Sequence, residues 1–391
     1  MTPAARLQAA IEIVDEVIAS TRDDGPPADA IVTRYFKARR YAGSSDRRAV
    51  RETVFRAIRR SAERPPSGRS AILGLVQDDP ALPELFGQPR GPEPIAEGEE
   101  RATAGAVPQW LVPELSPCVG PDEWPALLER APVDLRVNVA RASRDDLVGD
   151  FAGAAPTRLS PWGIRLPPDS RVDDHPAFRS GLVEVQDEGS QLIALACAAR
   201  DGERIVDLCA GAGGKSLALA AAAPNAEILA ADTNRARLAK LPPRAQRAGA
   251  AIETLLLSPP NELAELAGRR GKSDLVLVDA PCSGSGTWRR NPEGRWRLTP
   301  ERLDRLVALQ ARLLDIAAEL ARPGGRVVYA VCSLLSREGA GAIDGFLSRH
   351  SSWQVQETAI PAGRPDGASR LLTPAHDATD GFFVARLERP C

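Results

Sequence analysis

Hydrophobic residues recur at helical spacing in the first part of the chain. The pattern predicts an all-α domain over residues 1–76, with helices at Ala5–Ser20, Ile31–Ala42 and Ser45–Ser61. Apolar side chains of the first helix stand three or four residues apart, at Leu7, Ile11, Val14 and Ile18. One face of each helix is therefore expected to pack into a core while the other stays polar.

Proline, glycine and acidic residues become frequent over residues 77–107, which predicts a linker or a loosely packed end of the first domain. Short alternating and helical patterns follow over residues 108–180 and predict a small α+β domain. The expected elements are helices at Gln109–Leu115, Glu123–Arg130 and Ser143–Ala152 and strands at Leu135–Val139, Thr157–Leu159 and Gly163–Leu166.

Strand and helix patterns alternate over residues 181–391, which predicts an α/β fold with a Rossmann-like, doubly wound sheet. The strands are expected at 204–208, Glu227–Ala231, Ile252–Leu257, Leu275–Val278, Arg326–Val331, Trp353–Thr358 and Gly381–Leu387. The helices are expected at 214–223, Asn234–Lys240, Pro300–Ala321 and Ser336–Ser348. Ligands of such folds bind at the carboxyl ends of the parallel strands.

The distribution of charge and the cysteine content favour some classes of partner and argue against others. The net charge of the 391 residues is −2, but Thr33–Ser70 carries twelve lysines and arginines against three acidic residues, which favours binding to RNA phosphates. A solvated helix face is the alternative. Six cysteines without a Cys-x-x-Cys pair and three histidines argue against a metal site. With neither a leader pattern nor a long apolar run, we expect a cytoplasmic protein that does not bind membranes. We also expect the protein to be a monomer.

A glycine-rich turn between the first strand and helix of the predicted sheet indicates a nucleotide pocket. A phosphate-binding Walker loop would need glycine where Cys209 stands, and a dinucleotide fingerprint would need glycine in place of Ser216. An S-adenosylmethionine pocket tolerates the turn, and a tight connection without a ligand also stays possible. Asp232, at the end of the next strand, could accept both ribose hydroxyls or cap the following helix.

Two cysteines follow neighbouring strands and are expected at the same edge of the sheet. Cys282 comes after the fourth strand, and Cys332 comes after the fifth. Cysteine is often a small buried hydrophobic residue, but a thiolate beside a cofactor pocket can add to carbon 6 of cytosine and activate carbon 5 for methylation. Asp279 could hydrogen-bond the base and stabilise charge at ring nitrogen 3.

The motifs around these residues resemble the Sun (Fmu-like, RsmB-like) family of RNA cytosine-5 methyltransferases over residues 108–391. They are DLCAGAGGKS (207–216), DAPCSGSGTWRRNPEGRW (279–296), YAVCS (329–333) and DGFFVARL (380–387), with QDEGSQL (186–192) and LRVN (135–138) before them. Residues 34–60 resemble the NusB-like helical RNA-binding domain of the small-subunit rRNA member. The resemblance implies an S-adenosylmethionine-dependent enzyme whose partner is RNA, with small-subunit rRNA as the expected substrate.

The resemblance also implies roles for individual residues. Cys332 would be the nucleophile, Cys282 would assist product release, and Asp279 would contact both the base and the cofactor. The cofactor pocket would be bordered by Cys209, Ala210, Gly211, Ala212, Gly213, Gly214, Lys215, Asp232 and Asp279. A phosphate-binding and stacking surface would comprise Trp288, Arg289, Arg290, Arg295, Trp296 and Arg297.

Several positions depart from the family pattern and keep other functions open. Val331 replaces a threonine, Ala212 replaces a proline, Ser258 stands where an adenine-side aspartate is common, and Pro242-Pro243 are expected to break a helix. These departures motivate a non-catalytic RNA-binding or ribosome-assembly protein as the alternative. The stretch 258–261 (SPPN) suggests an amino-group methyltransferase, although such motifs follow the fourth strand and end in an aromatic residue.

Overall fold

The computed structural model describes residues 1–23, 25–168 and 170–391. Its contacts define two compact units. A helical unit comprises Met1–Leu115, Gly120–Glu129 and Thr287–Pro300, and a sheet unit comprises Ser116–Val119, Arg130–Gly286 and Glu301–Cys391. No helix in the described ranges is long and apolar enough to cross a membrane.

The elements of the described residues are named in chain order. The α-helices are α1 (Pro3–Arg22), α2 (Ala28–Lys37), α3 (Ser44–Arg60), α4 (Gly68–Leu75), α5 (Arg144–Leu147), α6 (Pro176–Arg179), α7 (Glu188–Ala196), α8 (Gly214–Ala222), α9 (Arg235–Leu238), α10 (Leu241–Ala248), α11 (Glu262–Glu265), α12 (Gly294–Arg297), α13 (Pro300–Leu320), α14 (Ala340–Arg349) and α15 (Pro374–Asp377). The strands are β1 (Val133–Val137), β2 (Ala155–Pro156), β3 (Gly163–Leu166), β4 (Val183–Val185), β5 (Arg204–Asp207), β6 (Glu227–Asp232), β7 (Glu253–Leu256), β8 (Ser273–Asp279), β9 (Ala321–Val331), β10 (Gln354–Gln356), β11 (Arg364–Asp366), β12 (Ser369–Leu372) and β13 (Phe382–Glu388). Short 3-10 helices lie at Leu82–Leu85, Gln109–Glu114, Pro121–Leu127, Val148–Asp150, Ala267–Arg269 and Ser285–Thr287.

The helical unit packs α1 against α3 and α4 around one apolar core. Thr2 begins α1 by accepting a hydrogen bond from the Ala5 backbone, and Pro3 occupies the first turn, where its missing N–H costs nothing. The three predicted helices are present, but the predicted end of the second at Ala42 is wrong. This helix ends at Lys37, because the chain then forms turns in which Ala42 N–H bonds to Arg39 O.

The proline-rich stretch 77–107 makes backbone contacts within the helical unit. Ala102 N–H donates to Ser70 O at 3.0 Å, and Gly105 N–H donates to Arg60 O at 2.8 Å. Leu82 and Phe86 are buried in the helical core. The stretch therefore covers the helices even though it carries little regular secondary structure.

A four-stranded antiparallel sheet in the order β2-β3-β1-β4 forms the smaller part of the sheet unit. The predicted strand at Thr157–Leu159 is wrong, because the pairing with β3 involves Ala155 and Pro156 instead. The predicted helix at Ser143–Ala152 is shorter: α5 ends at Leu147 and a 3-10 turn follows. The β4 strand, at 183–185, had not been predicted and pairs with β1.

The larger sheet has the order β11-β12-β13-β9-β8-β5-β6-β7, with β10 paired to β13. Strands β7, β6, β5, β8 and β9 are parallel, and β13 runs antiparallel to β9. Residues Leu275–Val278 of the central β8 are fully buried, as expected for a strand covered on both faces. The predicted α/β Rossmann-like fold is confirmed, and the carboxyl ends of β5, β6, β8 and β9 meet along one edge.

The helical segment after β6 is interrupted at the predicted place: α9 ends at Leu238, and Pro242-Pro243 lie in the first turn of the separate helix α10, where proline is tolerated. One helix prediction beside the larger sheet needs correction. The predicted helix at Ser336–Ser348 begins later, at Ala340, because 334–339 form a turn in which Gly339 N–H bonds to Leu335 O. That turn carries a buried carboxylate described below.

Candidate active site

The turn between β5 and α8 has the backbone conformation of a ligand-binding loop. Gly211 and Gly213 have φ of +57° and +83°, in the left-handed region that favours glycine. A Cβ on Gly213 would also lie 2.2 Å from Leu241 Cδ1. Gly214 begins α8, so the free N–H groups of this nine-residue helix end at the turn. Cys209, Ala210 and Ala212 complete the loop, and Ala212 O accepts a hydrogen bond from Arg244.

Asp232 ties this turn to the end of β6. Its Oδ2 accepts from Gly211 N–H at 2.7 Å and its Oδ1 accepts from Asn234 N–H at 2.6 Å. The N-cap of α9 is Asn234, whose side chain accepts from Arg237 N–H. The capping role considered for Asp232 therefore belongs to Asn234, and the carboxylate of Asp232 faces the glycine turn instead.

Asp207 lies buried at the end of β5. Its Oδ2 accepts from the Ser216 hydroxyl at 2.6 Å, whereas its Oδ1 is buried and has no hydrogen-bond partner among the described residues. Burial raises the pKa of Asp207 to about 7; the Ser216 hydrogen bond lowers it, and the Asp279 carboxylate raises it further. An orphaned carboxylate oxygen of this kind suits a cationic group.

Lys215 and Asp279 form an ion pair in which Lys215 Nζ donates to Asp279 Oδ2 at 2.7 Å. Lys215 is buried. Burial opposes its charge, but the Asp279 carboxylate outweighs this effect and raises the pKa of the ammonium. Its ammonium also lies 5.4 Å from the centre of the Phe382 ring. Asp279 stays partly exposed, so one side of its carboxylate can still reach a ligand.

The two predicted cysteines lie side by side at the ends of β8 and β9. Cys282 Sγ and Cys332 Sγ are 3.3 Å apart, within hydrogen-bond distance for sulfur, and both cysteines are free thiols. The hydrogen bond with Cys332 raises the pKa of Cys282 well above its usual value, and burial adds to this effect. Cys282 therefore keeps its proton. Burial, followed by the nearby aspartates, likewise raises the pKa of Cys209 and leaves it unreactive.

The turn after β9 contains a residue that the sequence analysis missed. Glu338 is fully buried, and its carboxylate accepts hydrogen bonds from the backbone of Ser283 and the side chains of Gln310 and Ser333. The sequence placed Glu338 in a helix, where a carboxylate is ordinarily exposed. Its position six residues after Cys332, beside a glycine, was the available signal.

The predicted phosphate-binding and stacking surface is wrong for four of its six residues, because these four side chains are buried. Arg295 is buried and donates to backbone oxygens of Ile58, Arg59, Gly105 and Ala106. Trp296 lies in the helical core and donates from its indole nitrogen to Ser61 O at 2.9 Å. Trp288 and Arg289 are also buried. Arg295 and Trp296 complete the helical unit because their donors satisfy backbone carbonyls that would otherwise be buried unpaired.

The chain is similar in sequence to known methyltransferases. The family model described as "16S rRNA methyltransferase RsmB/F" matches residues 194–388. The ribosomal RNA small subunit methyltransferase B of Salmonella typhi is 35% identical over 288 residues, covering 72% of this chain and 66% of the relative. The counterpart from Salmonella arizonae is 34% identical with the same coverage. The chain thus aligns with just under two thirds of the length of these relatives.

Solved structures share the fold. The crystal structure of PH0851 has a TM-score of 0.78 at 22% identity and covers 100% of this chain and 99% of its own. NSun6 from Pyrococcus horikoshii, solved with the S-adenosylmethionine analogue SFG, has a TM-score of 0.61 at 20% identity and covers 68% of this chain and 92% of its own. The family model and the Salmonella relatives show that the chain belongs to the RsmB/F methyltransferase family.

Proposed function

We propose that this protein methylates carbon 5 of a cytosine in small-subunit rRNA through a covalent cysteine adduct. The observation that carries the proposal is the pair of thiols 3.3 Å apart at the ends of β8 and β9. One buried cysteine could be a simple packing residue, but two thiols in contact beside the glycine turn fit a nucleophile and its partner. The family membership and the names of the relatives support rRNA as the substrate.

The hydrogen-bond acceptors and donors around the turn fit the chemical groups of S-adenosylmethionine. Its ribose hydroxyls suit the Asp232 carboxylate, and its ammonium suits the orphaned oxygen of Asp207. The free N–H groups of α8 suit its carboxylate. When bound, the cofactor supplies an electrophilic methyl group. The residues from Cys209 to Lys215 would border it, together with Asp279.

The two cysteines would divide the remaining chemistry. The Cys332 thiolate would form a bond from Sγ to carbon 6 as the double bond between carbons 5 and 6 opens, which makes carbon 5 nucleophilic. After methylation, carbon 5 would give its proton to a water molecule, the electron pair of that C–H bond would re-form the ring double bond, and the bond from Sγ to carbon 6 would break to release the Cys332 thiolate. Cys282, held protonated beside Cys332, assists this release. Asp279, positioned by Lys215, would hydrogen-bond the base edge and stabilise charge at nitrogen 3.

Denaturing gels with the RNA substrate test the assignment. Cys332→Ala should abolish both methyl transfer and the covalent protein–RNA species, whereas Cys282→Ala should accumulate that species. A covalent species trapped by Cys332→Ala and absent with Cys282→Ala would reverse the two roles. Cys197→Ala is a matched control, because Cys197 is a buried thiol remote from both loops in sequence.

The helical unit would bind the rRNA. Exposed cations at Lys37, Arg40 and Arg48 flank Tyr41, which is 74% exposed, more than any other large hydrophobic residue of the described chain. Arg47 Nε donates to Ala42 O, so the loop is anchored next to the tyrosine. An exposed aromatic ring among cations suits an unpaired base and its phosphates.

A further inference from the structure

A buried carboxylate connects the two loops that carry the cysteines. Glu338 Oε1 accepts from Ser283 N–H and from Gln310 Nε2, each at 2.9 Å, and Oε2 accepts from the Ser333 hydroxyl at 2.6 Å. Ser283 directly follows Cys282, and Ser333 directly follows Cys332. One side chain therefore holds the residue next to each thiol.

Hydroxyl groups reinforce the same connection. The hydroxyl oxygens of Ser283, Ser285 and Ser333 lie 3.1 Å from one another. Ser285 Oγ also accepts from Leu334 N–H at 2.8 Å, which joins the loop after β8 to the loop after β9 a second time. The phenol of Tyr329 donates to Glu338 O at 2.7 Å and fixes the backbone of the glutamate.

Burying a carboxylate in this way costs desolvation free energy. A carboxylate taken fully out of water loses its hydration, and the hydrogen bonds from Ser283, Gln310 and Ser333 offset that loss. A neutral side chain of the same size would hold a loop more cheaply. The negative charge itself is therefore the feature to explain.

The charge of Glu338 acts on the thiol pair. The hydrogen bond with Cys332 and burial are the main causes that raise the pKa of Cys282, and the Glu338 carboxylate acts in the same direction. A negative charge near Cys282 opposes formation of a thiolate there. The proton therefore stays on Cys282.

We propose that Glu338 is a positioning residue that clamps the two cysteine loops together and sets which thiol of the pair reacts. The proposal rests on the proposed function, in which Cys332 attacks and Cys282 assists release. It assigns Glu338 no contact with RNA or cofactor.

Alkylation of the free protein by iodoacetamide, with the two cysteine peptides quantified by mass spectrometry across pH 6–9, tests the proposal without RNA. In Glu338→Gln the share of alkylation at Cys282 relative to Cys332 should rise, by about tenfold for each unit that the Cys282 pKa falls. Asp304→Asn is the control, because it removes an exposed carboxylate that pairs with the neighbouring Arg337. It should leave the ratio unchanged.

Binding of S-adenosylmethionine by calorimetry establishes that each variant is folded. Should Glu338→Gln fail to fold, Ser333→Ala removes one of the three donors and should shift the ratio in the same direction by a smaller factor. An unchanged ratio and pH profile in a folded variant would overturn the proposal. Methyl transfer by Cys332→Ala would instead reject the proposed function, and the alkylation result would still stand on its own.

Discussion

Replacing Asp207 by asparagine should stabilise the protein at alkaline pH. Asp207 is buried at the end of β5, and one of its carboxylate oxygens has no partner among the described residues. Burial raises its pKa from 3.8 to about 7 in the folded state. The folded protein therefore holds this proton more tightly than the unfolded chain does.

The sign and size of the effect follow from linkage. Because the folded pKa is raised, the protonated carboxyl contributes its full stability below about pH 4, and this contribution is lost as the pH rises through about 7. A shift of roughly three units corresponds to about 4 kcal/mol at pH 8. An asparagine keeps the shape and a hydrogen-bonding oxygen without the charge.

Urea unfolding of the full protein at pH 5 and at pH 8, with unfolding of the sheet unit monitored by its susceptibility to proteolysis, measures the change in stability between the two pH values. The wild type should lose stability between the two pH values, and Asp207→Asn should lose much less. The same variant should bind S-adenosylmethionine more weakly, because the proposed partner of the ammonium has lost its charge. Asp304→Asn, an exposed site, should change neither quantity.

An equal loss of stability with pH in wild type and Asp207→Asn would refute the reasoning. So would a variant that is less stable than the wild type at pH 8. Either result would mean that ionisation of the Asp207 carboxylate does not destabilise the folded protein when no ligand is bound.

Three further predictions concern the pocket and the helical unit. Asp232→Ala should weaken S-adenosylmethionine binding by ~1–3 kcal/mol in a titration, because ribose hydrogen bonds are lost, and unchanged affinity of the folded variant would contradict this role. Trp296→Ala should destabilise the helical unit by about 3–5 kcal/mol in thermal unfolding, and a change confined to RNA affinity would restore its role as a stacking residue. RNA affinity should fall steeply as the salt concentration rises. The double variant Lys37→Ala/Arg40→Ala should reduce the slope of the logarithm of RNA affinity against the logarithm of salt concentration by about 2. Tyr41→Ala should instead weaken RNA binding at every salt concentration.

The parallel sheet was predictable because its signals are local. The buried run Leu275–Val278 and the glycines at 211 and 213 each specify a strand or a turn within a few residues. Adjacent parallel strands then carry Cys282 and Cys332 to one edge whatever the details of the loops. Their separation of 3.3 Å depends on the side chains of the loops and is read from the structure.

The site residues that were wrongly predicted or missed have hydrogen-bond partners that are distant in sequence. Arg295 and Trp296 form a basic and aromatic pattern that suits RNA, but their partners, at 58–61 and 105–106, lie far away in sequence. Glu338 was missed for the same reason, since its donors come from 283, 310 and 333. Local pattern analysis assigns such side chains to solvent. The predicted boundaries at 76, 107 and 180 stay predictions.

The position of Trp296 in the helical core also bears on synthesis of the protein. The ribosome makes α1 to α4 first, yet the tryptophan that completes their core follows Leu75 by some 220 residues. At typical elongation rates, apolar core residues of the nascent helices would stay exposed to solvent for roughly 10–40 s before Trp296 is synthesised. Chaperone capture during translation is therefore expected to be longer for this segment than for a helical bundle whose core is contiguous in sequence. A truncated chain that stops before residue 287 should remain aggregation-prone.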